Sequence, residues 1–217
     1  HGENLKGEAL LAQVQKWEQE GIIEPSHADA LRLANAHPEW FDLSDRTMVL
    51  FGAGSEAGPL TWLSKWKANI VAVDLPNNKV WQRILNTIQD GNATLYAPSQ
   101  TMLAEDTPTR ELSTKLGANL LTQTPEIAQW LLQSEHQLDL AAIAYLDGEK
   151  HVRVAMAMDS IMKVVSEHKA DTSLMFMCTP TDVYAVPKEV VASSEEKFRY
   201  RSHIQKLVTK GVATASL

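Results

Sequence analysis

Residues 48–58 read MVLFGAGSEAG, four apolar residues running straight into three glycines. An apolar run that ends in Gly-x-Gly is expected to be a strand leaving a sheet and turning sharply into a helix. Such a turn leaves backbone N–H groups facing an anion-sized hollow. The alternative is a tight connection between strand and helix that carries no ligand. Gly52-Ala53-Gly54-Ser55-Glu56-Ala57 fits the spacing G-x-G-x-x-(G/A). In that pattern Gly52 makes the turn and Gly54 lets backbone approach a pyrophosphate. Ala57, or Gly58 beside it, lets the helix sit close to the strand.

Working outward, NIVAVD at 69–74 is a second apolar run, and Asp74 closes it 22 positions after Gly52. An acidic side chain at that place accepts hydrogen bonds from the ribose hydroxyls of an adenine dinucleotide and repels a 2′-phosphate. The expected cofactor is therefore NAD rather than NADP, with Ser55, Glu56 and Leu75 on the same binding surface. Further apolar runs, ATLYA (93–97), GANLLT (117–122), LDLAAIAYLDG (138–148) and TSLMFMCTPTD (172–182), alternate with helical patterns. The clearest of these patterns places Val80, Trp81, Ile84, Leu85 and Ile88 on one face. Pro59 is expected in the first turn of a helix PLTWLSKWK, and Pro187 is expected to start a last helix running to about Gly211. The polar, proline-broken stretch 98–110 is expected to be a long loop.

Strands buried on both faces and alternating with helices imply an α/β fold with a doubly wound parallel sheet of Rossmann-like form. Two helices precede the first strand, so residues 1–46 are expected to be an N-terminal helical extension and 47–217 the dinucleotide-binding domain. The sequence resembles the NAD(P)-binding Rossmann superfamily, and within it the short-chain dehydrogenase/reductases. GAGSEAG can be laid on that family's G-x-x-x-G-x-G turn, with Gly52 and Gly58 matching and Glu56 in place of the middle glycine. AIAYLDG stands where such enzymes carry a strand ending in Asn-Asn-Ala-Gly, so the resemblance puts Tyr145, Asp147 and Gly148 beside the cofactor.

The resemblance also implies a Tyr-x-x-x-Lys pair for proton transfer during hydride transfer. One such pair occurs, Tyr184 and Lys188 in YAVPK, with Pro187 between them. Proline opposes a helix through that interval, so coincidence is the favoured reading of this pair. Thr179 follows the last strand run, at the end where parallel sheets bind ligands, with turn chemistry as its alternative role. The expected function is a nicotinamide-dependent oxidoreductase acting on a carbonyl or alcohol, or its cofactor-binding portion with catalytic residues beyond Leu217. The alternatives are a dinucleotide-binding sensor or structural domain without catalysis, and a flavodoxin-like or nucleotide-sugar module.

Composition narrows the field. The chain has 217 residues, 44% of them apolar and 22% charged, and a net charge of −7 that opposes a phosphate-backbone footprint on nucleic acid. Seven scattered histidines and one cysteine, Cys178, offer no metal-ligand spacing, so no metal is expected. No Gly-Lys-Ser/Thr follows the glycines and no Gly-x-Ser-x-Gly elbow occurs. No apolar stretch reaches the roughly 20 residues of a membrane span. The lone cysteine and the charged opening lead to the expectation of a cytoplasmic protein. The expected partners are a dinucleotide and a small-molecule substrate of unknown identity, with self-association left open.

Overall fold

Thr47–Phe51 forms β1, and its register follows from burial on both faces. Val49 and Phe51 point to one side, Leu50 to the other, and none is exposed to solvent. The computed structural model describes residues 3–99, 101–104, 106–177, 187–202 and 205. By packing the chain forms two units, Glu39–Thr179 and His1–Pro38 with Pro180–Leu217.

The first unit holds a five-stranded, all-parallel sheet in an α/β arrangement. Its strands are β1, β2 (Asn69–Val73), β3 (Thr94–Tyr96), β4 (Leu138–Ala142) and β5 (Ser173–Phe176), in the order β3-β2-β1-β4-β5. Thr47 pairs with Asn69 on one side and with Leu138 on the other. The crossovers run one way from β1 to β3 and the other way from β1 to β5. The strand order therefore reverses between β1 and β4.

Two apolar clusters cover the two faces. On one, Val49, Phe51, Val71, Val73, Leu138 and Leu140 meet α6 (Thr124–Leu132) and α7 (Glu149–His168). On the other, Leu50, Ile70, Ala72 and Ala141 meet α3 (Leu60–Leu63) and α4 (Asn78–Gln89), whose fully buried Trp81 and Ile84 lie on the predicted face. Asn77 caps α4, its side chain accepting from the N–H groups of Lys79 and Val80. The central strands β1, β2 and β4 are buried almost throughout, whereas the side chains of β5 are exposed along its length.

Several sequence expectations are corrected here. The helix after the glycine turn is a single turn rather than the nine residues of PLTWLSKWK. The Ser64 carbonyl is drawn away to accept the N–H groups of Asn92 and Ala93, and Lys67 enters the left-handed region at φ 57°. GANLLT forms no strand: Gly117 turns at φ +125°, and the Ala118 N–H donates to the Asp74 carbonyl at 2.9 Å. That segment instead crosses the carboxyl end of β2. The expected loop 98–110 is irregular over its described residues as far as Pro108, and its last two residues open α5 (Thr109–Lys115).

Residues 39–46, just before β1, belong to the sheet unit. Lys67 Nζ lies 2.6 Å from the Asp42 carboxylate. This contact, with the bonds from Ser44, holds the Asp42 pKa down at about 2. At the amino ends of the strands, Arg46 donates through Nε and Nη2 to both oxygens of Asp139, at 2.8 and 2.7 Å. The Ser173 hydroxyl donates to the same carboxylate.

In the second unit, α1 (Gly7–Gln19) and α2 (Pro25–Ala36) bury Val14 and Ala28, and Arg32 bridges Glu18 and Asp29. The helix that follows Pro187, α8, spans Lys188–Arg199 and closes at the Tyr200 cap, and the predicted end near 211 lies outside the described residues. Lys197 meets Glu24 at 3.2 Å. Among the described residues no helix is long and apolar enough to cross a membrane, and no group of His, Cys, Asp and Glu is arranged to hold a metal.

Candidate nucleotide site at the carboxyl ends of the strands

The chain leaves β1 through Gly52 at φ +87°, a conformation that side chains resist. A Cβ there would stand 2.7 Å from the Cα of Ala144, in the segment that leaves β4. Only glycine lets the two strand exits pass this closely. Gly54 is confined differently: an added Cβ would meet Val80 Cγ1 at 2.5 Å and the Asp74 carboxylate at 3.1 Å.

Asp74 is built into the turn. Its Oδ2 accepts the Gly54 N–H at 2.8 Å and its Oδ1 accepts the Leu75 N–H at 2.8 Å. A carboxylate has about four lone-pair positions, so acceptor capacity remains beyond these two bonds. Behind it the buried Trp81 indole donates to the Leu75 carbonyl at 3.0 Å, fixing the rim from below. Arg83 donates to the Gly54 carbonyl and stands 3.7 Å from the exposed Glu56 carboxylate.

These groups open onto a cavity of about 460 Å³ where the strand order reverses, within the size range of small-ligand sites. Six of the residues singled out in the sequence line it: Gly52, Gly54, Ser55, Asp74, Leu75 and Tyr145. Glu56, Gly58, Asp147 and Gly148 do not. Gly58 packs against Ile143, and Gly148 caps α7 at φ +60°. Tyr145 is largely exposed, and its ring lies 4.7 Å from that of His151, centroid to centroid. Lys188 begins α8 directly after Pro187, and Thr179, Tyr184 and Cys178 lie outside the described residues.

The turn differs from the expected cradle. The N–H groups of Gly52 and Ala53 donate to Val73, that of Gly54 to Asp74, that of Ser55 to Gly52 and that of Gly58 to Ser55. Within 52–58 only the Glu56 and Ala57 amides have no internal acceptor among the described residues. A one-turn α3 adds little dipole. Asp74 thus keeps acceptor capacity for a hydroxyl donor, whereas the turn holds few free N–H donors for an anion.

Sequence reasoning missed two parts of the wall. Asn119, Leu120 and Leu121 arrive on the segment that crosses β2, and Lys150 and Val154 come from α7. Asn119 is held by the loop itself, its Oδ1 accepting the Leu121 N–H at 2.9 Å. The position of Lys150, two residues after the Asp147-Gly148 pair that ends the apolar run at β4, was the one available signal. Comparison with protein-family models, with curated proteins and with solved structures finds no match for this chain.

Proposed function

We propose that this chain binds a nicotinamide dinucleotide, NAD in preference to NADP, as the cofactor-binding part of an oxidoreductase of short-chain-dehydrogenase type acting on a carbonyl or alcohol. One observation carries the reading. Gly52, Gly54 and Asp74, picked out by spacing alone, meet on one cavity at the carboxyl ends of parallel strands where the strand order reverses. That is where doubly wound, Rossmann-like sheets bind nucleotides. Asp74 receives the ribose hydroxyls and repels a 2′-phosphate. Leu75, Leu121 and Leu146 offer apolar wall to the rings. The bound nicotinamide would supply hydride transfer; the residues of the cavity bind and orient.

A second reading, a binding domain without catalysis, is favoured by the polar groups of the wall. Asp74 and Asn119 are already engaged with backbone N–H groups. Ser55, Tyr145 and Lys150 are then the polar wall side chains with no hydrogen-bond partner among the described residues. Calorimetric titration with NADH and NADPH tests the shared claim, with NADH expected to bind more tightly. Gly54→Val is expected to abolish that binding while the far-ultraviolet circular dichroism stays unchanged, because its side chain displaces Val80 and the Asp74 carboxylate. A folded variant that binds NADH like the wild type would refute the site. Turnover of NADH with a panel of ketones then separates enzyme from sensor.

A further inference from the structure

The cavity has to meet the negative charge of a nucleotide's phosphates with something other than the amides of the turn. Five of those amides are committed to protein acceptors, and α3 has four residues. Among the described residues the cavity wall carries one cationic side chain, Lys150. Neighbouring cations are occupied. Arg83 is bound to the Gly54 carbonyl and faces Glu56, while Arg153 lies 3.8 Å from Glu149. The Lys150 ammonium has neither a carboxylate nor a hydrogen-bond acceptor among the described residues.

Its placement complements that of Asp74. Asp74 follows β2 and Lys150 lies on the segment that follows β4, and these strands flank β1 on either side. Two strand spacings, about 10 Å, separate their ends, with the Gly52–Ser55 turn between them. A carboxylate takes hydroxyl donors, and an ammonium takes phosphate oxygens as charge-assisted bonds. A ligand with sugar hydroxyls at one end and phosphates further along satisfies both groups by lying across the exit of β1. We infer that Lys150 is the residue that holds the phosphate of the bound nucleotide, so that the site selects nucleoside phosphates over the bare nucleoside. This rests on the nucleotide-binding reading above.

The test is calorimetric titration of adenosine and of ADP-ribose into the wild type, Lys150→Met and Lys150→Arg. Thermal melts confirm that each variant is folded. The wild type is expected to bind ADP-ribose more tightly than adenosine. Lys150→Met should lose about tenfold or more in ADP-ribose affinity, the scale of one charged hydrogen bond. It should leave adenosine unchanged and flatten the salt dependence of ADP-ribose binding, and Lys150→Arg should keep most of the affinity. If ADP-ribose binds the wild type and Lys150→Met equally, or if the variant loses both ligands in proportion, the assignment of Lys150 is overturned and the nucleotide site stands. A wild type that binds neither ligand overturns the site and the assignment together.

Discussion

Asp139 and Asp74 stand at opposite ends of one parallel sheet, and their carboxylates are held by different kinds of donor. Near the amino ends, Asp139 is almost fully buried and receives two bonds from Arg46 and one from Ser173. Burial alone would raise its pKa. The bonds from Arg46 and Ser173, with the Arg46 charge, outweigh burial and hold the carboxyl below its ordinary value. At the carboxyl end of β2, Asp74 is held by two backbone amides and faces a cavity. The contrast separates a carboxylate used up in tying three strands together from one positioned by the fold yet still able to accept from a ligand.

The comparison is broken most severely at the cavity end by Gly52→Ala. A Cβ there is strained at φ +87° and overlaps the Ala144 backbone. The loss of stability is expected to reach about 3 kcal/mol or more, combining left-handed strain with overpacking, and urea unfolding measures it. At the amino end, Arg46→Met leaves Asp139 buried without its guanidinium. Breaking a buried pair costs about 3–5 kcal/mol. Because the Arg46 side chain is 45% exposed, about 2–3 kcal/mol is expected, with NADH affinity unchanged in the folded fraction. Loss of NADH binding by folded Arg46→Met would erase the functional difference between the two ends.

Acid sharpens the same contrast. The folded pKa of Asp139 lies below the unfolded value of about 3.9. Its contribution is therefore complete above about pH 5 and is lost as pH falls through the lowered folded value. The stability gap between wild type and Arg46→Met should narrow below about pH 4, as read from unfolding curves at each pH. A gap constant down to pH 2 would show that the pair contributes nothing through its charge.

Asp74→Ala has the smallest expected effect on stability. It strands the Gly54 and Leu75 amides at a partly hydrated rim, at a cost of about 1–2 kcal/mol. Its larger consequence is for ligand: NADH affinity should fall about tenfold or more, and NADPH affinity less or not at all. Equal losses for the two cofactors would reduce Asp74 to a brace for the turn, the counterpart of Asp139 rather than its contrast.

The five strands were legible because each is a short apolar run ended by a polar or glycine-bearing turn, and Asp74 was legible because β2 ends on it. What escaped the sequence was decided by long-range bonds. The periodicity of PLTWLSKWK is helical, yet the Ser64 carbonyl is taken by Asn92 and Ala93 from across the fold. GANLLT has the composition of a strand, but Gly117 packs on Pro76 and Ala118 bonds to Asp74, which turns the segment into cavity wall. Of the cavity wall, spacing picked out the portions that follow β1 and β2, namely Gly52, Gly54, Ser55, Asp74 and Leu75. Lys150 carries no motif; it reaches the wall because α7 begins at Glu149, after the short exit 143–148 from β4.

Trp81 gives the site its own optical reporter. Its indole is fully buried and donates to the carbonyl of Leu75, one residue from Asp74. Trp40 and Trp62, by contrast, are more than half exposed. Emission from Trp81 therefore belongs at the blue edge of the spectrum, beyond that of the half-buried Trp17, Trp66 and Trp130 and of the exposed indoles. A molecule that settles against Asp74 and Leu75 shifts or dims that blue edge first. Occupancy of the cavity can be followed by light from the native chain without adding a label.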